Sequence, residues 1–231
     1  MAITNDYVIF ISGCGHSGTT LLSAILDSHP KIYTIRRETN WFNNYQCTDP
    51  IVQQEYEFEK HKEETQFYKK EIMLEKTPNH IFSIPLIRKH FPNSRHIFIA
   101  RNPLDTCASL YRRYDNIDMA VDRWNNANYF LLTHALNDWA HMIRYEELVT
   151  DPDKHLTMIC QFLGIEYSDK MLDYYQSDIK FSGSDPNTVK RNTQIKQPLT
   201  NCNGIYQSIF SQQQIEYVLD KTRKISQILN Y

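Results

Sequence analysis

The chain turns sharply after its first apolar run, and that turn limits the possible folds more than any other feature. Residues 7–12 are β-branched and aromatic, and Gly13-Cys14-Gly15-His16-Ser17-Gly18-Thr19-Thr20 follows at once. An apolar run of that length bounded by glycines predicts a buried strand and a tight turn. Residues 19–28 then carry Leu21, Leu22, Ile25 and Leu26 on one helical stripe. His29-Pro30 ends that helix, because proline pushes the residue before it out of the α region. Glycines let successive backbone N–H groups aim into one concavity, and the helix N-terminus adds partial positive charge. With hydroxyls from Ser17, Thr19 and Thr20, the turn reads as an anion cradle.

Further strands are predicted at 72–74, 96–100 and 141–145, each followed by a polar loop and a helical pattern. Asn102 and Pro103 are a cap and a first helical residue. Residues 153–163 repeat apolar side chains at 156, 159, 160 and 163 and stop at Gly164. The last helix opens on Ser211 and Gln214, spaced as a capping box. Its expected buried face is Ile215, Val218, Leu219, Thr222, Ile225 and Leu229. Alternating strands and helices imply a single α/β domain over 1–231, a mostly parallel sheet flanked by helices. Ligands of such sheets bind where the strands end, so the loops after residues 12, 74, 100 and 145 share one rim. Residues 53–70, charged, aromatic and free of glycine, read as a helical insertion.

A formal net charge of −2 argues against a general nucleic-acid binder, so local cations must hold any anionic ligand. No segment approaches the roughly 20 apolar residues that cross a bilayer. The first residues lack a basic stretch and read as a strand, not a leader. Five cysteines, at 14, 47, 107, 160 and 202, show no CxxC spacing. They read as free thiols in a reducing cytoplasm, with no metal site.

A nucleoside-triphosphate loop needs lysine after its last glycine, and Thr19 stands there. The cradle therefore suits a phosphate or phosphosulfate better than a triphosphate with magnesium. Here His16-Ser17-Gly18-Thr19-Thr20-Leu21-Leu22 resembles the [K/R]-SGTT loop of sulfotransferases that use 3′-phosphoadenosine 5′-phosphosulfate (PAPS), with histidine replacing the usual cation. Two further stretches are similar to that family. One is Arg101 at a strand end with Ser109 eight residues on; the other is Arg144-Tyr145-Glu146-Glu147-Leu148, then Asp151-Pro152 and Phe162-Leu163-Gly164.

The resemblance implies a P-loop NTPase-like sulfotransferase fold with PAPS as donor. It implies that Gly15, His16, Ser17, Gly18, Thr19 and Thr20 hold the 5′-phosphosulfate, that Arg101 and Ser109 hold the 3′-phosphate, and that Tyr145 lies near the adenine. Lys76, in Glu75-Lys76-Thr77-Pro78, follows a short strand onto the same rim. Similarity to the bacterial and tyrosylprotein-type branches implies that Lys76 lies near the sulfate and that Glu38, in Glu38-Thr39, is the base. A carboxylate beside Arg36, Arg37 and Lys76 stays ionised and ready for a proton. His80 is the second candidate base. No arginine follows Gly204, where the family has a basic closing loop, so Lys190, Arg191 and Lys196 are the candidates for that role, Arg191 foremost. Residues 41–70 are expected to shape an acceptor pocket, with a small-molecule acceptor preferred. A nucleotide-dependent kinase and a non-catalytic nucleotide-binding module are the competing readings.

Overall fold

The computed structural model describes residues 8–42, 50–183 and 188–231. Its first half runs β1 (Ile9–Gly13), α1 (Thr19–Asp27), β2 (Ile32–Thr34), α2 (Pro50–Phe67), β3 (Ile72–Lys76), α3 (Ile84–His90) and β4 (Arg95–Ala100). The second half runs α4 (Pro103–Tyr114), α5 (Ile117–His134), β5 (Ala140–Arg144), α6 (Tyr145–Thr150), α7 (Pro152–Leu163), α8 (Thr188–Gln194) and α9 (Gln212–Ile228). All strand pairs are parallel and the order is β2-β3-β1-β4-β5. The chain leaves β1 towards β2 on one side and leaves β4 towards β5 on the other. That reversal opens a crevice at the ends of β1 and β4, where open parallel sheets bind ligands.

The strands are buried on both faces, and alternation divides the core in two. Phe10, Met73, Phe98 and Ala100 face one cluster, which includes Trp124 from α5 and Val218 from α9. Ile9, Ile11, Leu74, Ile97 and Ile99 face the other, with Leu22, Ile25, Leu156 and Ile159. Each such aliphatic side chain removed from water contributes about 1.5–3 kcal/mol.

Strand β2 was not expected: its three residues are too few to show a period of two. The strand expected at 141–145 ends one residue earlier, because Tyr145 opens α6. The helical pattern after β4 divides into two helices. Asp115 takes a left-handed conformation with φ 51°, and the Asn116 side chain caps α5 by accepting from the Met119 N–H. Leu219, expected in the core, is 46% exposed, whereas Val218, Thr222, Ser226 and Leu229 of that helix and its end are buried. Tyr7 of the expected first strand lies outside the described residues, as do residues 43–49 of the expected insertion.

The described part of that insertion is helical and held by polar ties. Glu57 accepts from Trp41 Nε1 at 2.7 Å and from Arg37 at 2.8 Å, and Glu64 accepts from the Tyr33 hydroxyl at 2.7 Å. Helix α2 thus braces the segment that carries Glu38.

Candidate active site

The cradle forms at the crevice. The chain leaves β1 through Gly13, and Gly18 caps α1 with φ 99°. A Cβ on Gly18 would lie 2.7 Å from the Tyr145 ring, so the loop can close against α6 only with glycine there. His16 also has positive φ, at 72°. Its Nδ1 shares a hydrogen bond with the Ser109 hydroxyl at 2.8 Å, which ties the loop to α4 across 93 residues of sequence.

Arg101 leaves β4 into the same crevice, and its placement is over-determined. Its backbone carbonyl accepts from Trp124 Nε1 at 2.9 Å. Its guanidinium lies 4.3 Å from the Tyr145 ring centre and donates to the Cys202 carbonyl at 2.7 Å. Tyr145, placed by resemblance near an adenine, is a buried shelf under Arg101 and beside Gly18. Burial pushes its phenol up to about 12, so it stays neutral. Cys14, inside the loop, is likewise pushed up to about 12 by burial and offers no thiolate.

These elements line a cavity of about 560 Å³ that also takes in Gly15, Thr19, Thr20, Glu38 and residues of the 190–205 segment. Its cations are Arg101, Arg112, Arg113, Lys190 and Arg191, against one carboxylate, Glu38, among the described lining residues. A chain of net charge −2 thus concentrates positive charge in one place. Arg112 and Arg113 were missed from sequence. They stand three and four residues after Ser109 in α4, and that helical spacing, which shares a face, was the available signal.

The C-terminal loop is pinned by buried Asp105 and not by a cation of its own. Asp105 accepts from the N–H groups of Gly204 at 2.9 Å and Tyr206 at 3.2 Å. Arg191 lies 3.5 Å from Glu38. Lys196 donates to the Ser177 carbonyl and does not line the cavity, so it drops out as a closing cation.

Glu38 and Lys76 meet: Lys76 Nζ lies 2.8 Å from Glu38 Oε1. Lys76 is only 2% exposed and Glu38 is 31% exposed. The lysine also faces the Phe181 ring at 5.5 Å. Burial lowers the Lys76 pKa from the ordinary lysine value, and the Glu38 carboxylate opposes the shift. His80 is not a rival base. It is fully buried, its Nδ1 lies 2.8 Å from Glu75 Oε2, and its Nε2 accepts from the Phe42 N–H at 3.5 Å.

Two buried polar atoms, Ser17 Oγ within the phosphate loop and Arg101 Nε on the cavity wall, have no hydrogen-bond partner among the described residues. Buried donors of this kind are normally satisfied, and an anionic ligand in the crevice is suited to do it. No group of His, Cys, Asp and Glu suited to a metal occurs among the described residues.

Comparison with known proteins gives the family and the fold. A model described as the sulfotransferase family matches residues 9–67 and 49–169. Protein-tyrosine sulfotransferase 1 of Danio rerio is 26% identical over 221 residues, a match covering 80% of this chain and 61% of the relative's length. The sulfotransferase domain of the Synechococcus PCC 7002 olefin synthase superposes with a TM-score of 0.73 at 19% identity, covering 97% of this chain and 94% of that one. Mouse sulfotransferase SULT7A1, solved in complex with PAP, superposes at 0.64 and 17% identity, covering 100% of this chain and 90% of that one. The fold is that of these solved structures.

Proposed function

The chain belongs to the sulfotransferase family, and from that premise we propose that it moves a sulfuryl group from PAPS to a hydroxyl or amine of a small-molecule acceptor, releasing 3′,5′-ADP. The observation that carries this reading is that Glu38, which lines the cavity holding the loop and Arg101, lies 2.8 Å from Lys76, buried directly behind it. Sulfuryl transfer is an in-line displacement through a loose transition state, so the protein supplies position, a base and charge neutralisation. Glu38 takes the acceptor's proton while the acceptor oxygen or nitrogen bonds to sulfur. The bond from sulfur to the bridging oxygen breaks, and Lys76 neutralises the charge that this oxygen gains. Drawn to that oxygen, Lys76 loosens its hold on Glu38, and the carboxylate becomes a stronger base.

The phosphate ends divide by the same logic. Backbone N–H groups and hydroxyls of the 15–20 loop hold the 5′-phosphate, with Ser17 Oγ one of the donors. Arg101 and Ser109 hold the 3′-phosphate, and Arg112 and Arg113, one helical turn beyond Ser109, supply charge there. Arg191, beside Glu38, belongs to the sulfuryl end. A cytoplasmic location belongs to the same proposal, in keeping with the free thiols of Cys14, Cys107 and Cys160.

Calorimetry tests the donor. 3′,5′-ADP is expected to bind more tightly than ADP or ATP, and tighter binding of ATP with magnesium would sink the reading. Arg101→Ala should weaken 3′,5′-ADP binding by about 1–3 kcal/mol, the scale of charge-assisted hydrogen bonds. An unchanged affinity would remove Arg101 from the nucleotide site.

The pair itself is read by its pH dependence. Because burial depresses the Lys76 pKa, the needed cation is lost as pH rises, below the roughly 10.4 at which an ordinary lysine titrates. The expected kcat profile has an alkaline limb in that range. Lys76→Arg stays charged and should abolish the limb at a reduced plateau, since a planar guanidinium cannot copy an ammonium. A limb unchanged in this variant would assign it to another group.

A further inference from the structure

The residue that sets this phosphate loop apart is also the one that joins its two ends. His16 stands where the [K/R]-SGTT loop has a permanent cation. Its φ of 72° is a conformation that side chains hold only where the surroundings fix them. Those surroundings include the Ser109 hydroxyl of α4, 2.8 Å from His16 Nδ1 and 93 residues away in sequence. Both residues line the nucleotide cavity.

That hydrogen bond has a direction, and the direction bears on a charge. A serine hydroxyl carries one proton, and a neutral imidazole carries one on either nitrogen. In the empty cavity, either group can donate to the other. An ionised phosphate only accepts. Once a 3′-phosphate takes the Ser109 proton, the hydroxyl can offer His16 nothing but a lone pair. Nδ1 must then be the donor. With Nδ1 committed, the polyanion beside the ring favours a second proton on Nε2.

The surrounding charges give the change its sign. Arg101, Arg112, Arg113, Lys190 and Arg191 line the same cavity, and Glu38 is the one carboxylate among its described lining residues. Tyr145 and Tyr174, each pushed up to about 12 by burial, add no charge, and the Cys202 thiol lies on the same wall. Behind the loop, the charge of Arg123 from α5 acts on Cys14. Cations on nearly every side keep an imidazole neutral while the cavity is empty. A bound nucleotide with two phosphate ends reverses that balance.

We propose that His16 and Ser109 couple donor binding to protonation: a nucleotide with both phosphate ends brings a proton onto His16, and one without the 3′-phosphate brings little. The proton comes from the buffer, and no bond but the new N–H changes. The inference rests on the sulfuryl-transfer reading, because it needs a ligand that carries a 3′-phosphate. It makes donor affinity depend on pH, which a lysine or arginine in the loop would not do. The affinity gained is fully present below about 6.5, the ordinary histidine value, and fades as pH rises through the value in the complex.

Calorimetry at pH 7.5 in buffers of different ionisation enthalpy counts the protons taken up on binding. At that pH the nucleotide phosphates, which take their last proton near about 6, are almost fully ionised and contribute little. A His16 pKa raised by about one to two pH units in the complex gives 3′,5′-ADP an uptake of about 0.4–0.8 proton. ADP, the isomer of equal charge without a 3′-phosphate, should give less than about half of that. Ser109→Ala should bring 3′,5′-ADP down to the ADP level, and His16→Gln should abolish the uptake. His16→Lys, charged throughout, should also show none. Its 3′,5′-ADP affinity should change about tenfold less than that of the wild type between pH 6 and 8.5. Binding of 3′,5′-ADP without uptake, equal uptake for the two isomers, or uptake that survives His16→Gln or is unchanged in Ser109→Ala overturns the inference alone. Failure of 3′,5′-ADP to bind at all sinks the donor reading, and this inference with it.

Discussion

Glu38→Gln is expected to lower kcat by about 10²–10⁴-fold while leaving 3′,5′-ADP affinity at or slightly above its wild-type value. Glutamine keeps the shape of the side chain and an oxygen for Lys76, so the 2.8 Å contact can persist. What it loses is the capacity to take a proton. It also removes the one carboxylate among the described lining residues of a cavity rich in arginine and lysine, which can only favour a polyanion. The two effects have opposite signs, and that separates a base from a binding residue. Single-turnover measurement with preloaded PAPS reads the chemical step free of product release. A near-normal single-turnover rate would take the role from Glu38. Weakened nucleotide binding would mean that Glu38 orders the cavity instead.

The loop and the Arg101–Ser109 junction of the candidate site were legible because they are local. A strand, a glycine-rich turn and a helix fix their own geometry, so the positions of Ser17 to Thr20 follow from a dozen consecutive residues. Arg101 and Ser109 were legible for the same reason, being eight residues apart across one strand-to-helix junction. Features made by distant contacts were not. Asp105 holds a loop 99 residues further on through the Gly204 N–H, and no spacing announces that tie. The His16 bond to Ser109 joins two motifs that sequence treats separately. Sequence spacing also misjudged Leu219. The apolar stripe of α9 passes through 219, but the helix turns it to solvent and buries the small Ser226 instead. Burial here is decided by which neighbour the helix packs on, and a hydrophobic pattern only proposes candidates.

The Glu38–Lys76 pair rests on a buried knot, and cutting that knot should cost more stability than any change in the cavity. Glu75 is fully buried near the end of β3, just before Lys76 and Thr77. Its Oε1 accepts from the Thr39 N–H at 3.3 Å, the Thr39 hydroxyl at 2.9 Å and the Thr77 hydroxyl at 2.6 Å, while Oε2 faces His80 at 2.8 Å. Burial opposes charge on this carboxyl, but its contacts with His80, Thr77 and Thr39 outweigh it and hold its pKa below the ordinary glutamate value. Glu75→Ala strands these donors in the core, at a cost of about 3–5 kcal/mol, the scale for breaking a buried ionic pair. At about 2–4 °C per kcal/mol for a chain of this size, Tm should fall by roughly 6–20 °C. Thr39 follows Glu38 and Thr77 follows Lys76, so the pair should lose its alignment and kcat should fall as well. Glu75→Gln, which keeps one acceptor and the shape, should recover much of the stability. The pH response has a fixed sign. A carboxyl with a depressed folded pKa contributes fully above its unfolded value near 4.3, and that contribution fades as pH falls through the folded value. The wild type should therefore lose this increment as pH falls below about 4.3 towards the folded value, and the glutamine variant should lack that acid-dependent step. Urea midpoints measured between pH 2 and 7 decide the matter: parallel curves for wild type and variant would mean that folding leaves the Glu75 pKa unchanged, and a wild type that gains on the variant as pH falls would mean that Glu75 is a neutral acid in the folded protein.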